Sequence, residues 1–468
     1  MVVPPQGVGG GAPIDAGDLE DSYIARFKAL DPRVARLFGY VETLVDAGVL
    51  SVDDVAKYAN DVLSASATVR FCNNVFSIGF SVLIFASAYM SASKAAAILN
   101  DANIPVSKAV AILNDVNMQV SKAAAILDNL VNLSVSKAHS ILADANLPAN
   151  RTQSILYSMV DQGLYNNLLK IITFNASDAS YTANTTLSTG VNRYRNLNIA
   201  SGVTLTLGAG PGVIIADSIT NSGTIASGWI KGAGGAGSCG GGNGGGGRGA
   251  VIILASNVSV GTVISNGVDG AGATGFSCNS TGSPGSGGSF WLISGDRVPY
   301  GGGGGYAGTG NPNGGGGGIG GAGGSANVLT FTDAPSLLNN LFKPICDWWL
   351  VNVINKTPSS TASIPSLGGS GGGSGGASVP YNTGGGGGGG GGGQIIIYGT
   401  SVTAGSVQAN GGNGGAHYGA IALYGGCGGG GGIVYVFYKN LTGTFTYSVS
   451  GGGGADNGGA GVFRAIPV

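Results

Sequence analysis

Gly212-Val-Ile-Ile-Ala216 with Gly223-Thr-Ile225 is followed by Ala250-Val-Ile-Ile-Leu254 with Gly261-Thr-Val263. Then come Gln394-Ile-Ile-Ile-Tyr398 with Gly405-Ser-Val407 and a looser Ile433-Val-Tyr-Val-Phe437 with Gly443-Thr-Phe445. Each copy pairs a run of apolar, largely β-branched residues with a second short strand, and glycine tracts lie between copies. One supersecondary unit stacked on copies of itself produces this pattern. Upstream, Leu197, Ile199, Val203, Leu205 and Leu207 alternate with polar residues, which predicts half-buried strands from about Thr173 onward.

The tracts are Gly232–Gly249, Gly301–Gly305, Gly314–Gly318 and Gly384–Gly393, and they lack the three-residue period of collagen. Such composition reads by default as flexible linker. Inside a series of strand repeats it permits another state: chains without side chains approach closely enough to pair in a polyproline-II-like bundle, where hydrogen bonds recover what glycine loses in entropy. We expect ordered tracts.

Of 93 glycines, nine precede Phe174, so a boundary falls near residue 173. Residues 1–17 read as a flexible tail, 18–173 as a helical domain and 174–468 as a glycine-rich β domain. The expected fold class is therefore α+β multidomain: an N-terminal bundle of short helices and repeats, then a glycine-rich all-β region, a parallel β-helix-like stack with polyglycine-II-type loops. Asp18 and Asp31-Pro32 carry the signals of helix starts, over Tyr23–Leu30 and then as far as Gly48, and Ser51 should cap a helix over Val52–Leu63.

A second repeat occupies residues 93–163. Ser93-Lys-Ala-Ala-Ala-Ile-Leu-Asn-Asp-Ala-Asn-Ile-Pro-Val recurs as 107–120, 121–135 and 136–149, with a degenerate unit over 150–163. A period of 14 would suit one long coiled coil with Ile98, Ile112 and Ile126 on its seam. Pro105 and Pro148 oppose that, because proline removes a helix bond and clashes with the preceding turn. Short helices fit better, capped by Ser93, Ser107, Ser121 and Ser136 and ended by Asn103, Asn117, Asn132 and Asn146. None would be stable alone, so they should stack. His139 reads as a tolerated surface residue, and one lysine per unit is too few for reading nucleic acid.

No charge lies between Arg70 and Lys94, and Val75–Met90 is almost wholly apolar. Segment 73–93 is either a marginal bilayer span, with membrane contact at 75–90, or a helix buried in a core or between subunits. Its short apolar run and its asparagines and serines favour burial, since a span needs about 20 apolar residues. Residues 333–354, with capping signals at Asp333 and Pro335 and the pair Trp348-Trp349, read as a helical insertion that covers a sheet edge or docks on a partner subunit.

Only 9% of residues are charged and the net charge is -1, which disfavours nucleic acid as a partner. Five cysteines without CxxC spacing and two histidines supply too few ligands for zinc, and no metal or cofactor is expected. Cys239 could pair with Cys278 or Cys427 outside a cell, or the thiols stay single. Eight Asn-x-Ser/Thr sequons occur, and Asn175, Asn184, Asn257, Asn279, Asn355 and Asn440 are candidate glycosylation sites in the β half. No signal peptide is visible at Met1.

Gly-rich nucleotide and nucleophile-elbow patterns occur here by chance alone, and His417 has no acid nearby for a triad. Glycan cleavage would need two close carboxylates, whereas the β half has no glutamate and only scattered aspartates. No catalytic residue is assigned. Phe276, Tyr300, Tyr306, Tyr381, Tyr418 and Tyr424 punctuate the glycine loops as candidate receptor contacts, or else pack over glycine edges.

The aliphatic strands, their Gly-Thr/Ser turns, Ala409-Asn-Gly-Gly-Asn-Gly-Gly415 and poly-Gly resemble the glycine-rich β-helical domains of secreted and cell-surface proteins. The glycine-only tracts resemble the polyglycine-II layers of phage tail-fibre adhesins, over roughly Leu197–Val468. The whole layout is similar to tail or spike proteins of archaeal spindle-shaped viruses. That resemblance implies a homo-oligomeric virion-surface protein. Residues 18–173 would attach to other virion or surface-structure proteins, and the β region would bind host glycan or S-layer. A cellular surface-layer or filament protein and a glycan-degrading tailspike are the alternatives.

Overall fold

The computed structural model describes residues 41–231 apart from 49, 62, 75–76, 189–190, 209–211 and 229. It further describes 243–272 and 274, 386–416, and 425–468 apart from 455–456. The tail 1–17, the helices expected before residue 41, the insertion 333–354 and Cys239, Cys278 and Cys346 lie outside these residues. The chain divides into two compact units, Met1–Ile171 and Ile172–Val468.

Within the first unit, a helical stretch at 41–46 is followed by nine short helices among the described residues. They are α1 (Val52–Asp61), α2 (Ala65–Asn74), α3 (Ile78–Ala86), α4 (Ala92–Asn100), α5 (Val106–Asn114), α6 (Val120–Leu133), α7 (Val135–Ala143), α8 (Ala149–Asp161) and α9 (Tyr165–Thr173). Each helix from α1 to α6 packs on the helix two further along. The repeat explains this packing. Ala95, Ile98 and Leu99 in α4 recur as Ala109, Ile112 and Leu113 in α5 and as Ala123, Ile126 and Leu127 in α6, all 0% exposed. Spacing of i, i+3, i+4 puts them on one face. Burying an isoleucine or leucine contributes roughly 1.5–3 kcal/mol.

Ser51 caps α1 as expected: its Oγ accepts from the Asp54 N–H at 3.0 Å. The repeat helices start earlier than their serines suggested. The N-caps are Ser91, Pro105, Gln119 and Ser134, so Ser93, Ser107, Ser121 and Ser136 fall inside the first turn. Pro105 stands just before the first helical residue, as Pro148 does for α8, where its missing N–H breaks no helix bond. The turns are built by Asp-x-Asn: the Asp101 carboxylate accepts from the Asn103 N–H at 2.8 Å, and Asp115–Asn117 and Asp144–Asn146 repeat it at 2.9 Å. The 15-residue unit lacks this turn, and Asn132, expected to end a helix, lies within the 14-residue α6.

Segment 75–90 contains α3, nine residues long with Phe80, Val82, Ile84 and Phe85 buried. Among the described residues no helix is long and apolar enough to cross a membrane.

The second unit has two parallel sheets. The larger runs β1 (Ala179–Tyr181), β3 (Val191–Ile199), β5 (Gly212–Asn221), β9 (Val251–Ser259), β11 (Gln394–Thr403), β13 (Ile433–Thr442), β15 (Val462–Pro467). The smaller runs β14 (Thr446–Ser448), β12 (Ser406–Gln408), β10 (Thr262–Ile264), β6 (Thr224–Ser227), β4 (Thr204–Leu207), β2 (Thr185–Thr186). A short antiparallel pair, β7 (Ile230–Lys231) and β8 (Gly247–Arg248), stands apart. Both sheets keep chain order, so each pass of the chain adds one long and one short strand.

Register refines the repeat. Gly212 pairs with Val251 and not Ala250, so the first copy is shifted by one from the sequence alignment. In the last copy Thr446, not Thr444, continues the short-strand column. The strands β3 and β4 form the same unit without a glycine tract before them. Inward residues from both sheets, including Ile214, Ile219, Ile225, Ile253, Val258 and Val263, form one continuous core. The opposite face of the first half of β5, β9, β11 and β13 is buried too, with Ile215, Ile252, Leu254 and Ile396 at 0–1% exposure. Pairing skips Arg195, Asp217, Ser256, Thr400 and Lys439 in the same column. Inward side chains there stand three apart, as Ala216 and Ile219 do, so the strands bend at this column, where small residues line the inside of β5, β9 and β11 (Ala216, Ala255, Gly399).

Candidate functional site

Two surfaces of the β unit carry polar chemistry in register: a bundle of glycine segments and the outward face beyond the bend.

The glycine segments 243–249, 265–272, 386–393, 409–416, 425–432, 449–454 and 457–461 lie between or beside the strands, with no strand of their own apart from β8 in the first. Segments leaving the short strands run side by side: Gly267 and Gly270 donate to the carbonyls of Asn410 and Asn413 (2.8 and 2.7 Å), and Gly411 and Gly414 to those of Ser450 and Gly453 (2.9 and 2.8 Å). Segments entering the long strands do the same, Gly389 and Gly392 donating to Cys427 and Gly430 at 2.9 Å. Between the two sets the pairing is antiparallel. Gly387, Gly390 and Gly393 donate to Ala271, Val268 and Ser265 at 3.0, 2.8 and 2.8 Å. Gly426, Gly429 and Gly432 donate to Gly415, Gly412 and Ala409 at 2.9, 2.9 and 2.6 Å.

Each of these contacts repeats after three residues on both partners. A three-residue period is thus present in the bonding, although the sequence lacks the collagen repeat. Close approach demands glycine: a Cβ on Gly412 would overlap the Val268 carbonyl oxygen, and one on Gly429 that of Gly390.

On the outgoing segments 265–272 and 409–416 two successive third positions, exposed or half-exposed, carry asparagine or aspartate (Asn266, Asp269, Asn410, Asn413). Asn410 donates its backbone N–H to the Asn266 side-chain oxygen at 2.8 Å, and Asn413 donates to the Asp269 carboxylate at 2.6 Å. Asn413 Oδ1 in turn accepts from the Gly453 N–H at 2.8 Å, and Asn410 Oδ1 from the Ser450 N–H at 3.0 Å. Backbone groups at the rim are thereby satisfied by the preceding layer. The stretch Ala409-Asn-Gly-Gly-Asn-Gly-Gly415 displays this spacing in plain sequence.

Beyond the bend, the outward columns are amide and hydroxyl. Asn196, Ser218, Asn257, Ser401 and Asn440 stand in one column and Asn198, Thr220, Ser259, Thr403 and Thr442 in the next. All are exposed or half-exposed. At the β1 edge Arg195 donates from Nε and Nη2 to the two Asp178 carboxylate oxygens at 3.0 and 2.7 Å. Asn196 adds its N–H (3.2 Å) and its Nδ2 (3.0 Å) to Asp178. The Arg195 hydrogen bonds, with Asn196 second, hold the Asp178 carboxyl down at about 2. An open cleft of about 370 Å³ runs over this edge, lined by Asp178, Ser180, Asn196, Asn198, Ser218 and Thr220 among others.

Of the sequence candidates, Asn175, Asn184, Asn257 and Asn440 are exposed. Asn184 accepts from the Thr204 N–H at 2.8 Å and so fixes a turn. Asn257 and Asn440 are both partners of Ser401 in one ladder column, and their sequon hydroxyls, Ser259 and Thr442, both pair with Thr403 in the next. An outward-inward-outward strand with an Asn/Ser/Thr face generates that motif by itself. Phe276, Tyr300, Tyr306, Tyr381, Tyr418, Tyr424, Asn279 and Asn355 lie outside the described residues. Among the described residues of the β unit the carboxylates are Asp178, Asp217 and Asp269, and two of these already accept the hydrogen bonds given above. Cys427 is buried at 2% exposure, and burial raises the Cys72 thiol to about 11.

Sequence reasoning missed the polar face because its residues look like ordinary strand exteriors one at a time. The signal was the vertical match of Asn-Leu-Asn198, Ser-Ile-Thr220, Asn-Val-Ser259, Ser-Val-Thr403 and Asn-Leu-Thr442. No protein-family model, no curated protein and no solved structure matches the chain.

Proposed function

We propose that this chain is a non-enzymatic structural attachment protein of tail-fibre or spike type. The helical unit anchors it to a virion or comparable surface particle, and the β unit meets the host cell surface. The β unit is then a parallel β-helix-type stack whose third side is a polyglycine-II-type bundle. The observation that carries this reading is that long strands, short strands and glycine segments all follow one another in chain order, layer upon layer. Such a stack grows along one axis, as a reaching element requires. Its scarcity of charge suits display toward many surfaces without electrostatic capture.

Fluorescently labelled full-length chain is expected to coat host cells and to lose that binding after mild periodate treatment of their glycans. Immunogold against the chain should decorate free particles. Label confined to the cell envelope or to cellular filaments would replace the virion assignment with a surface-layer one. New reducing ends from host glycan would overturn the non-enzymatic assignment.

A further inference from the structure

We infer that the outward face beyond the bend is a binding site for a neutral, polyhydroxylated chain, a glycan without anionic groups, seated first in the cleft at Asp178, Asn196 and Ser218. The inference rests on the attachment reading and adds to it the site and the substrate class.

Chemistry on the face selects that ligand. Asparagine, serine and threonine each donate and accept, as sugar hydroxyls do, so either partner can supply the hydrogen. Parallel strands set them at steps of about 4.8 Å, and the two columns cross β3, β5, β9, β11 and β13 without interruption. Short side chains held on paired strands have little rotamer freedom to lose on binding, which favours a ligand rich in weak polar contacts.

Other occupants fit poorly. A polyanion needs positive charge, yet the face and its bend carry Asp178 and Asp217 against Arg195 and Lys439, two of each sign. Arg195 is moreover engaged by Asp178 through Nε and Nη2. A protein partner would seek aromatic or aliphatic anchors, and neither column has one. The cleft of about 370 Å³ gives the otherwise flat ladder a starting point at its β1 edge, where Asn198 Nδ2 also bonds Ser180 Oγ at 3.3 Å.

The test uses full-length chain on an array of gluco-, manno- and galacto-configured neutral oligosaccharides, with sulfated counterparts, followed by titration of any that are retained. Neutral oligosaccharides should be held and sulfated ones should not gain. Ser218→Lys, which places a long cation on the face, should weaken binding by about tenfold or more, and Ser218→Asn should stay within about threefold of wild type. Should Ser218→Lys lower the melting temperature, isosteric Thr220→Val serves instead and should weaken binding several-fold. Retention of sulfated chains alone, or wild-type binding by Ser218→Lys (or by Thr220→Val where it serves instead), overturns the site. Wild-type chain that coats cells yet retains no neutral oligosaccharide removes this site and leaves attachment standing. Chain that holds the array but ignores cells keeps the site and removes attachment.

Discussion

Asn413 donates its backbone N–H to the Asp269 carboxylate at 2.6 Å across 144 positions of sequence. The two residues occupy the same place in consecutive layers of the glycine bundle, and the bond continues from Asn413 Oδ1 to Gly453. Asn413→Ala should therefore leave the Gly453 N–H without its partner. Hydrogen exchange of Gly453 is expected to speed up by about tenfold or more, while Gly429, bonded through backbone alone, changes little. Equal rates at Gly453 in both proteins would show that the side-chain ladder holds nothing.

Gly412→Ala inserts a methyl into the Val268 carbonyl. Overpacking of this kind costs about 1–3 kcal/mol, and more where only backbone can move. Gly453→Ala is the control, since the nearest atom to its Cβ would be Asn413 Oδ1 at an ordinary 3.5 Å. Urea unfolding should separate the two variants by at least about 1 kcal/mol.

The one basic residue of each helical repeat closes the end of a helix three earlier. Lys137 Nζ donates to the Asp101 and Ile104 carbonyls at 2.6 and 2.8 Å, just past α4, and Arg151 Nε donates to Leu113 in α5 at 2.9 Å. Lys94, Lys108 and Lys122 reach Leu63, Cys72 and Met90 in the same way. A cation at a helix C-terminus satisfies orphan carbonyls and the dipole together. Lys137→Met should lower stability by about 1–3 kcal/mol in calorimetry, despite the added apolar surface. Lys137→Arg should recover most of it.

Gln394 is 0% exposed, and neither amide atom has a hydrogen-bond partner. It pairs in register with the apolar Ile433. Replacing an unsatisfied buried amide with an apolar side chain of similar length removes a desolvation penalty of about 1–3 kcal/mol. Gln394→Met is expected to raise the melting temperature, and a fall would mean that the amide meets a bound water or partner.

Asp178 titrates below its usual 3.8, near 2, because Arg195 and Asn196 bond its carboxylate. A depressed carboxyl contributes stability that is complete above the unfolded value and is lost as pH falls toward the folded one. The melting temperature should thus drop between about pH 4 and pH 2. Asp178→Asn should flatten part of that drop, and identical profiles would assign the acid sensitivity elsewhere.

Much of the fold was legible because two periodicities were strong. Period 14 placed Ile98, Ile112 and Ile126 on buried faces, and the repeated aliphatic strands placed Ile253 and Ile397 in one column, which Ile214 joins only after a one-residue shift of the first copy. Helix starts were misplaced because the serine of each repeat looks like a cap, whereas Pro105 and Gln119 hold that position by backbone geometry alone. The polar face was hidden because its meaning lies across strands, between Asn257, Ser401 and Asn440. The repeat lysines were legible as lysines but not as caps, since their targets lie 31 to 36 residues away.

β10 and β11 stand on either side of residues 275–385 in the sequence, yet β9 and β11 pair in the same register as β5 and β9 do. A layer that docks on its predecessor through the same contacts every time is indifferent to how many residues separate the two in sequence. Loop closure grows only with the logarithm of that distance. A lineage could lengthen, shorten or exchange the intervening sequence and inherit the same spine, so that what varies and what endures are kept on separate ledgers of the molecule.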